Sequence, residues 1–393
     1  MRPLLTVWAA WTVLMAGANL ATPLYAVYAD KFHFSSLVLT TVFATYAVVL
    51  VPALIVFGRL SDRFGRRPVI LAGLGVACGG LVLFALATSV VWLYAARALQ
   101  GLAVGMISGA ATAALVELDP RGDRRRAAMF AGLAQAGGSA AGPLLAGVLA
   151  EWAPKPLHLV FLVTLGLTAA AATAVLTLSE GRAETPEPWR IQWPRVPPGI
   201  RGAFVRVSLT AATVWASISL YFSIVPSYAR DLLGTRNLAV LAAVSALSLV
   251  ASFGTQVISQ RSRPSRRLSQ AVGLGILATG LVALVLAAPL HTLALIIAAS
   301  LLAGIGHGLA FLNAQEELND IAPPEHRGEV TAAFIACIYF LVASAVIATG
   351  LLDLRLSLSF SVGAVALVLV AAALAGAAWQ SASLDSPRAE HPD

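Results

Sequence analysis

Gly58 to Pro68 reads G-R-L-S-D-R-F-G-R-R-P, a short basic stretch between two long apolar runs. Arg59, Arg63, Arg66 and Arg67 bring four positive charges, and Asp62 brings one negative charge. Gly58 and Gly65 let the chain turn tightly between two helix ends. Arginines clustered beside an apolar span mark a loop on the cytoplasmic side of a membrane. A loop that only set topology would need the arginines but not the spaced Gly, Asp and Gly.

Composition widens the reading. Of the 393 residues, 59% are hydrophobic and 11% charged, against about a quarter charged in soluble domains. A membrane-crossing helix takes about 20 apolar residues, so twelve of them consume most of the chain and leave no sizeable soluble domain. The net charge of +7 sits in loops beside spans, where anionic headgroups lie; the lipid bilayer, not nucleic acid, is the expected partner. Cys78 and Cys337 fall in apolar runs and read as packing residues rather than a disulfide or a metal site. With the N-terminus inside, twenty of the 26 Lys and Arg residues, Arg206 included, fall on the cytoplasmic side and five outside. Arg97 is left within a span. That asymmetry places both termini in the cytoplasm of a multi-pass protein of the cell (inner) membrane.

The spacing resembles the signature loop of the major facilitator superfamily, G-x-x-x-D-R-x-G-R-R between helices 2 and 3, matched by Gly58, Asp62, Arg63, Gly65, Arg66 and Arg67. The resemblance implies an all-α integral membrane fold, with twelve transmembrane helices in two pseudo-symmetric six-helix bundles. It also implies a gate at this loop, with Asp62 expected to meet the start of span 11 near Gly328 to Thr331.

The spans are expected at about 4–28, 36–58, 68–89, 91–116, 126–150 and 157–178, then 203–228, 237–258, 268–288, 292–317, 329–351 and 356–379. Residues 1–178 form the N-terminal bundle and 202–380 the C-terminal one. Between them, 179–201 is a cytoplasmic linker whose five prolines oppose a helix; 381–393 is a polar tail. A shift of 203 residues places Gly101 on Gly304, Gly105 on Gly308, Pro120 on Pro323 and Arg124 on Arg327, a weak internal repeat of the kind seen in alternating-access transporters. The second copy of the signature loop keeps its arginines but loses the acid and the glycine spacing.

Three further features carry chemistry. Arg97-x-x-Gln100-Gly101 resembles the family's span 4 motif, which is tied there to proton coupling. A charge inside a span is costly and marks a pathway, unless it snorkels to the interface. Gly138, Gly142, Pro143 and Gly147 in span 5 resemble a motif associated with exporters, although Ala146 replaces one of its glycines. Arg97, Glu117, His307, Glu316 and Glu317 are the coupling candidates, the three glutamates being expected to face an inner vestibule or cap a helix. Asn19 stands where some exporters carry an acid. The cavity of this fold would lie among spans 1, 4, 7 and 10, with Asn19, Thr22, Tyr25, Trp215, Ser219, Phe222, Phe311 and Gln315 as substrate-facing candidates. Tyr25 and Tyr28 also suit the outer interface.

No catalytic cluster, H-E-x-x-H motif, metal-ligand set or phosphate-binding glycine loop is present in the sequence. The expectation is a monomeric secondary transporter, not an enzyme, exporting a small hydrophobic or amphipathic compound against protons. It would use no cofactor, the proton gradient being its energy source. A sugar or amino-acid transporter is the alternative within the fold; a membrane-embedded enzyme or a receptor is the alternative outside it.

Overall fold

The computed structural model describes residues 1–58, 60–179, 193–223, 225–234, 237–262 and 265–383. Among these, twelve helices are long and apolar enough to cross a membrane, and there is no strand. They are span 1 (Arg2–Phe32), span 2 (Ser36–Phe57), span 3 (Arg66–Ala85), span 4 (Val90–Glu117), span 5 (Arg126–Trp152) and span 6 (Pro156–Leu176). The second set is span 7 (Pro198–Ser223), span 8 (Leu238–Gln260), span 9 (Arg266–Leu290), span 10 (Leu293–Ile321), span 11 (Arg327–Asp353) and span 12 (Leu358–Ala382). Most of the expected linker, the tail from 384 onward, and Arg59 of the signature loop lie outside the described residues.

Lipid tails are as apolar as leucine, so helix association depends on close approach rather than on hiding apolar surface. Small residues therefore mark the contacts. A Cβ at Gly101 would overlap the Tyr46 carbonyl, one at Gly105 would strike Ala53, and one at Gly109 would overlap the Gly58 carbonyl, so span 4 lies flush on span 2. The same row recurs in the second bundle, where Gly304 and Gly308 rest on the Ser248 and Ser252 carbonyls of span 8. Large side chains such as Val48, Phe340 and Val368 face outward.

Spans 1–6 pack together, as do spans 7–12; the two sets meet chiefly through span 2 on span 11 and span 5 on span 8. Those contacts lie toward the face away from the signature loop. Gly350 of span 11 abuts Leu37 and Thr40 of span 2, and Gly147 of span 5 abuts Leu238 and Ala242 of span 8. Glu151 accepts from the Leu238 amide at 2.8 Å, and Arg230 donates to Asp30 at 2.9 Å. The bundles are thus joined on this far face, and they diverge toward the basic face that carries the signature loop.

Three local departures from the expected spans matter. Span 1 runs past Pro23, which has no N–H to give, and loosens into a turn and a 3-10 segment at Thr22–Leu24 before resuming. Span 5 contains a π-helical turn at Leu133–Gly137, immediately before Gly138. Span 7 begins and ends about five residues earlier than expected, because Pro226 starts a separate helix, Val225–Leu233. There its missing N–H costs nothing.

Candidate substrate cavity

In the signature loop, Gly65 takes φ +88°, a backbone conformation that L side chains rarely adopt, and caps the start of span 3. Asp62 pairs with Arg66, and Arg66 also donates through Nε and Nη2 to Glu117 of span 4, at 3.0 and 2.8 Å. Arg63 is exposed, beside Phe64; Arg67 is half-buried. This face is open here, with Thr331 of span 11 lining the cavity behind it.

The break in span 1 organises the centre of the molecule. Just before it, the Ala18 carbonyl accepts from Arg97 Nη1 at 2.8 Å, and the Gly17 carbonyl accepts from Gln100 Nε2 at 2.8 Å. Arg97 Nη1 also donates to Gln100 Oε1 at 2.8 Å, and Nη2 reaches the Phe43 carbonyl at 3.4 Å. The guanidinium lies 4.6 Å from the Tyr46 ring centroid and 5.3 Å from that of Phe43. Only 3% of Arg97 is exposed. It is a fixed part of the bundle interior rather than a snorkelling anchor.

Arg97 stands at the deep end of a cavity of about 240 Å³ between the two bundles. The first bundle supplies Asn19, Phe43, Tyr46, Ser108, Gln135 and Ser139; the second supplies Trp215, Ser219, Phe222, Phe311, Gln315 and Asn319. Leu54, Asn319 and Thr331 continue the walls toward the basic face. Asn19 donates to Ser139 Oγ at 3.2 Å, tying span 1 to span 5 across the polar wall. On the opposite wall, the Trp215 and Phe311 rings meet at 88° with centroids 5.4 Å apart.

Thr22 and Tyr25 do not line this cavity. Both are buried in helix contacts, because the break in span 1 swings its second segment into the bundle. Tyr28 likewise leaves the interface expected for it and donates from its hydroxyl to the Phe84 carbonyl at 3.2 Å. Gln135 and Ser139 were missed by sequence reasoning. The π-helical turn of span 5 shifts the register by which they reach the wall, and an extra residue in a turn leaves no signature in a uniformly apolar run.

The coupling candidates other than Arg97 sit away from the cavity wall. His307 lies behind it, perpendicular to Trp215 and stacked on Phe311, with Nδ1 2.8 Å from Ser252 Oγ. Glu316 pairs with Arg266 at 3.5 Å. Glu317 is 8% exposed and is held by Arg206 Nη2 at 2.5 Å and Gln270 Nε2 at 2.6 Å. Gln380 joins the cluster by accepting from Arg206 and donating to Thr210 and Gln270. Each of the three glutamates meets an arginine of a neighbouring span; Glu117 and Glu316 stay about half exposed on the basic face, and Glu317 is buried. Arg206, counted with the cytoplasmic cations, is a second buried arginine, 6% exposed, inside span 7.

The span 5 glycines are contact points. A Cβ at Gly138 or Gly142 would overlap the carbonyl of Thr12 or Ala16 in span 1, and Gly147 faces span 8. Pro143 is buried within the helix between them.

Residues 7–347 match the family model of the Major Facilitator Superfamily. The inner membrane transport protein YajR of Escherichia coli (strain K12) is 42% identical over 89 residues, which is 23% of this chain and 18% of that protein. Tetracycline resistance protein, class D, of Salmonella ordonez is 34% identical over 148 residues, 37% of this chain and 36% of that protein. A triacylglyceride transporter of Mycolicibacterium hassiacum is 32% identical over 154 residues, 39% of this chain and 28% of that protein. The chain thus aligns with about a third or less of the length of these relatives. The crystal structure of a POT family transporter in complex with 5-aminolevulinic acid superposes with a TM-score of 0.79 at 13% identity, covering 97% of this chain and 96% of that one. That likeness shows the fold.

Proposed function

The chain belongs to the Major Facilitator Superfamily, a family of membrane transporters and not of enzymes, and from that premise we propose that it exports a small hydrophobic or amphipathic compound by alternating access, in exchange for protons. The observation that carries this reading is the cavity between the bundles. It has aromatic walls, is joined shut on the far face and opens on the basic face. Arginine-rich loops favour the cytoplasm, so the open face is the cytoplasmic one and the membrane is the cell (inner) membrane. A compound entering from the cytoplasm or the inner leaflet meets the rings of Trp215, Phe311 and Phe222 together with amides and hydroxyls from both bundles, which suits an amphipathic molecule. The glycines of span 5 and the relatives named for tetracycline resistance and triacylglyceride transport support export of such cargo.

A sugar is the second reading. Asn19, Gln135, Gln315 and Asn319 place four amides on the wall. An amino acid suits it less, because no carboxylate among the described lining residues could hold the ammonium group.

The energy source is proposed to be the proton gradient. Glu117, Glu316 and Glu317 each pair with an arginine of another span, and a change of partner between states would let one of them take up and release a proton. The test uses inside-out vesicles holding the full chain, with uptake of a panel of aromatic, sugar and amino-acid probes followed with and without an imposed pH gradient. Gradient-dependent uptake of aromatic amphiphiles is expected. Uptake of sugars alone, or aromatic uptake indifferent to the gradient, would overturn the cargo or the coupling respectively.

A further inference from the structure

The charge of the cavity is unbalanced. Among the described residues that line it, Arg97 is the one charged side chain; its polar neighbours are neutral amides and hydroxyls. A buried cation is normally paired. The other buried arginine, Arg206, has its carboxylate in Glu317 at 2.5 Å. Arg97, equally buried, meets two backbone carbonyls and the Gln100 amide oxygen, all neutral. Its titratable neighbours are the phenols Tyr25 of span 1, Tyr46 of span 2 and Tyr339 of span 11, which carry no charge at neutral pH. The faces of Tyr46 and Phe43 offset part of the charge, but rings do not use up N–H donors.

A guanidinium has five donors. Nη1 spends two and Nη2 one. Nε has no partner although it is buried, and one Nη2 donor is also unspent. Nε and Nη2 form one side of the guanidinium fork, and two parallel donors of that kind match the two oxygens of a carboxylate.

We propose that the anion missing from the cavity is brought by the substrate: the compound is an aromatic amphiphile with a carboxylate, held at the uncompensated charge of Arg97, with its ring system against Trp215 and Phe311. This rests on the reading of the cavity as the export site and specifies its cargo. A cationic amphiphile would meet an unshielded like charge, where the low dielectric lengthens the reach of repulsion. A phosphate is a poorer fit, since a dianion would want more than one arginine.

The probes are three molecules of one skeleton: naphthoate (anionic), naphthamide (neutral) and naphthylmethylamine (cationic). Binding to the purified full chain is measured by calorimetry in detergent micelles at neutral pH, against blanks of empty micelles. Naphthoate is expected to bind at least about tenfold more tightly than naphthamide, with the amine weakest. Arg97→Gln should bring naphthoate down to the level of the amide, erasing the ratio between the two, and Arg97→Lys should keep part of the preference. An amine that binds wild type as well as the acid does overturns the proposal; so does an Arg97→Gln variant that weakens all three probes equally. If Arg97→Gln does not fold, the ranking in wild type decides. Flux in inside-out vesicles separates the two readings. Carriage of the amide or amine but not the acid overturns the anion while leaving export standing, and failure to bind or carry any of the three counts against both.

Discussion

Span 4 and span 10 are copies of one helix, and they differ where it matters. Both lay a row of glycines on a neighbour, Gly101 and Gly105 on span 2, Gly304 and Gly308 on span 8. Both end on the basic face in an acid held by the arginine that opens the next span in space, Glu117 with Arg66 and Asp320 with Arg266. The repeat of 203 residues that aligns these features sets Arg97 opposite Ser300, which is buried and donates to its own helix at Ile296. The scaffold is duplicated and the cavity is not: both bundles give amides and rings, but the first alone gives a cation and the second the crossed pair of Trp215 and Phe311. A repeat can hold the geometry of rocking in common while its two halves diverge in what they offer a substrate.

The sharpest break in the symmetry is energetic. The C-terminal bundle buries an ion pair, Arg206 with Glu317, inside a network from spans 7, 9, 10 and 12, whereas Arg66 and Glu117 are partly exposed. Removing one partner of a buried pair strands the other charge. Arg206→Met should therefore lower unfolding stability by about 3 kcal/mol, and adding Glu317→Gln should restore much of it. Arg66→Met should cost no more than about 1 kcal/mol, as exposed pairs do. Thermal unfolding of the purified variants checks this, and equal losses would show that the network is solvated.

The glycine rows should behave alike, which tests the repeat itself. A methyl group at Gly101 or Gly304 meets backbone, not a side chain that could move aside. Gly101→Ala and Gly304→Ala should each cost roughly 1–3 kcal/mol, and Gly142→Leu in span 5 should abolish transport by forcing span 1 away. Gly75 and Gly275 have nothing near the added atom and serve as controls, with Ala expected within about 0.5 kcal/mol of wild type. Tolerance in one row only would mean that the two bundles do not pack as copies.

Below these comes the signature loop, intact in one copy only. Asp62 already pairs with Arg66 on the open face, so Asp62→Asn should change stability by no more than about 1 kcal/mol. It should still slow transport, because closing this face would bring the carboxylate to the unpaired N–H groups that begin span 11, where a negative charge is favoured. Wild-type flux in Asp62→Asn would assign the loop to topology alone.

How much of this was legible follows from what an apolar sequence can encode. The spans and the signature loop stand out because charge is scarce, and Arg97 stands out for the same reason. Arg206, Gln270 and Gln380 were hidden because polar residues near span ends read as loop or interface, and only the fold brings four span ends together. Depth was the available signal for Arg206 and Gln270, which lie a turn or more inside their helices, whereas Gln380 stands two residues from the end of its own. Tyr25 and Tyr28 misled because an aromatic with a polar tip suits an interface and a buried hydrogen bond equally well. Gln135 and Ser139 depend on a π-helical turn, and periodicity has nothing to register where every face is apolar.

The smallest expected effect lies in the loop after span 4, again in one copy only. Asp119 accepts from the Arg121 amide at 2.9 Å and the Asp123 amide at 3.2 Å, and lies 3.6 Å from Arg126 Nε. The repeat sets it opposite Ala322, which cannot do any of this. The Arg121 amide above all, then the Asp123 amide and the charges of Arg126 and Arg121, hold the Asp119 carboxyl below its ordinary value of 3.8 against the opposing effect of burial. A carboxyl depressed in the folded state binds protons more weakly than in the unfolded chain. Its contribution is therefore complete above the unfolded value and is lost as pH falls through the folded one. Asp119→Ala should melt below wild type at neutral pH by a small, constant margin, and the two curves should converge only as pH drops below about 4. Ala322→Asp, in the other copy, should give no such margin. A gap between wild type and Asp119→Ala that persists unchanged at pH about 3 would show that the loop is held by its backbone turn and not by the carboxylate.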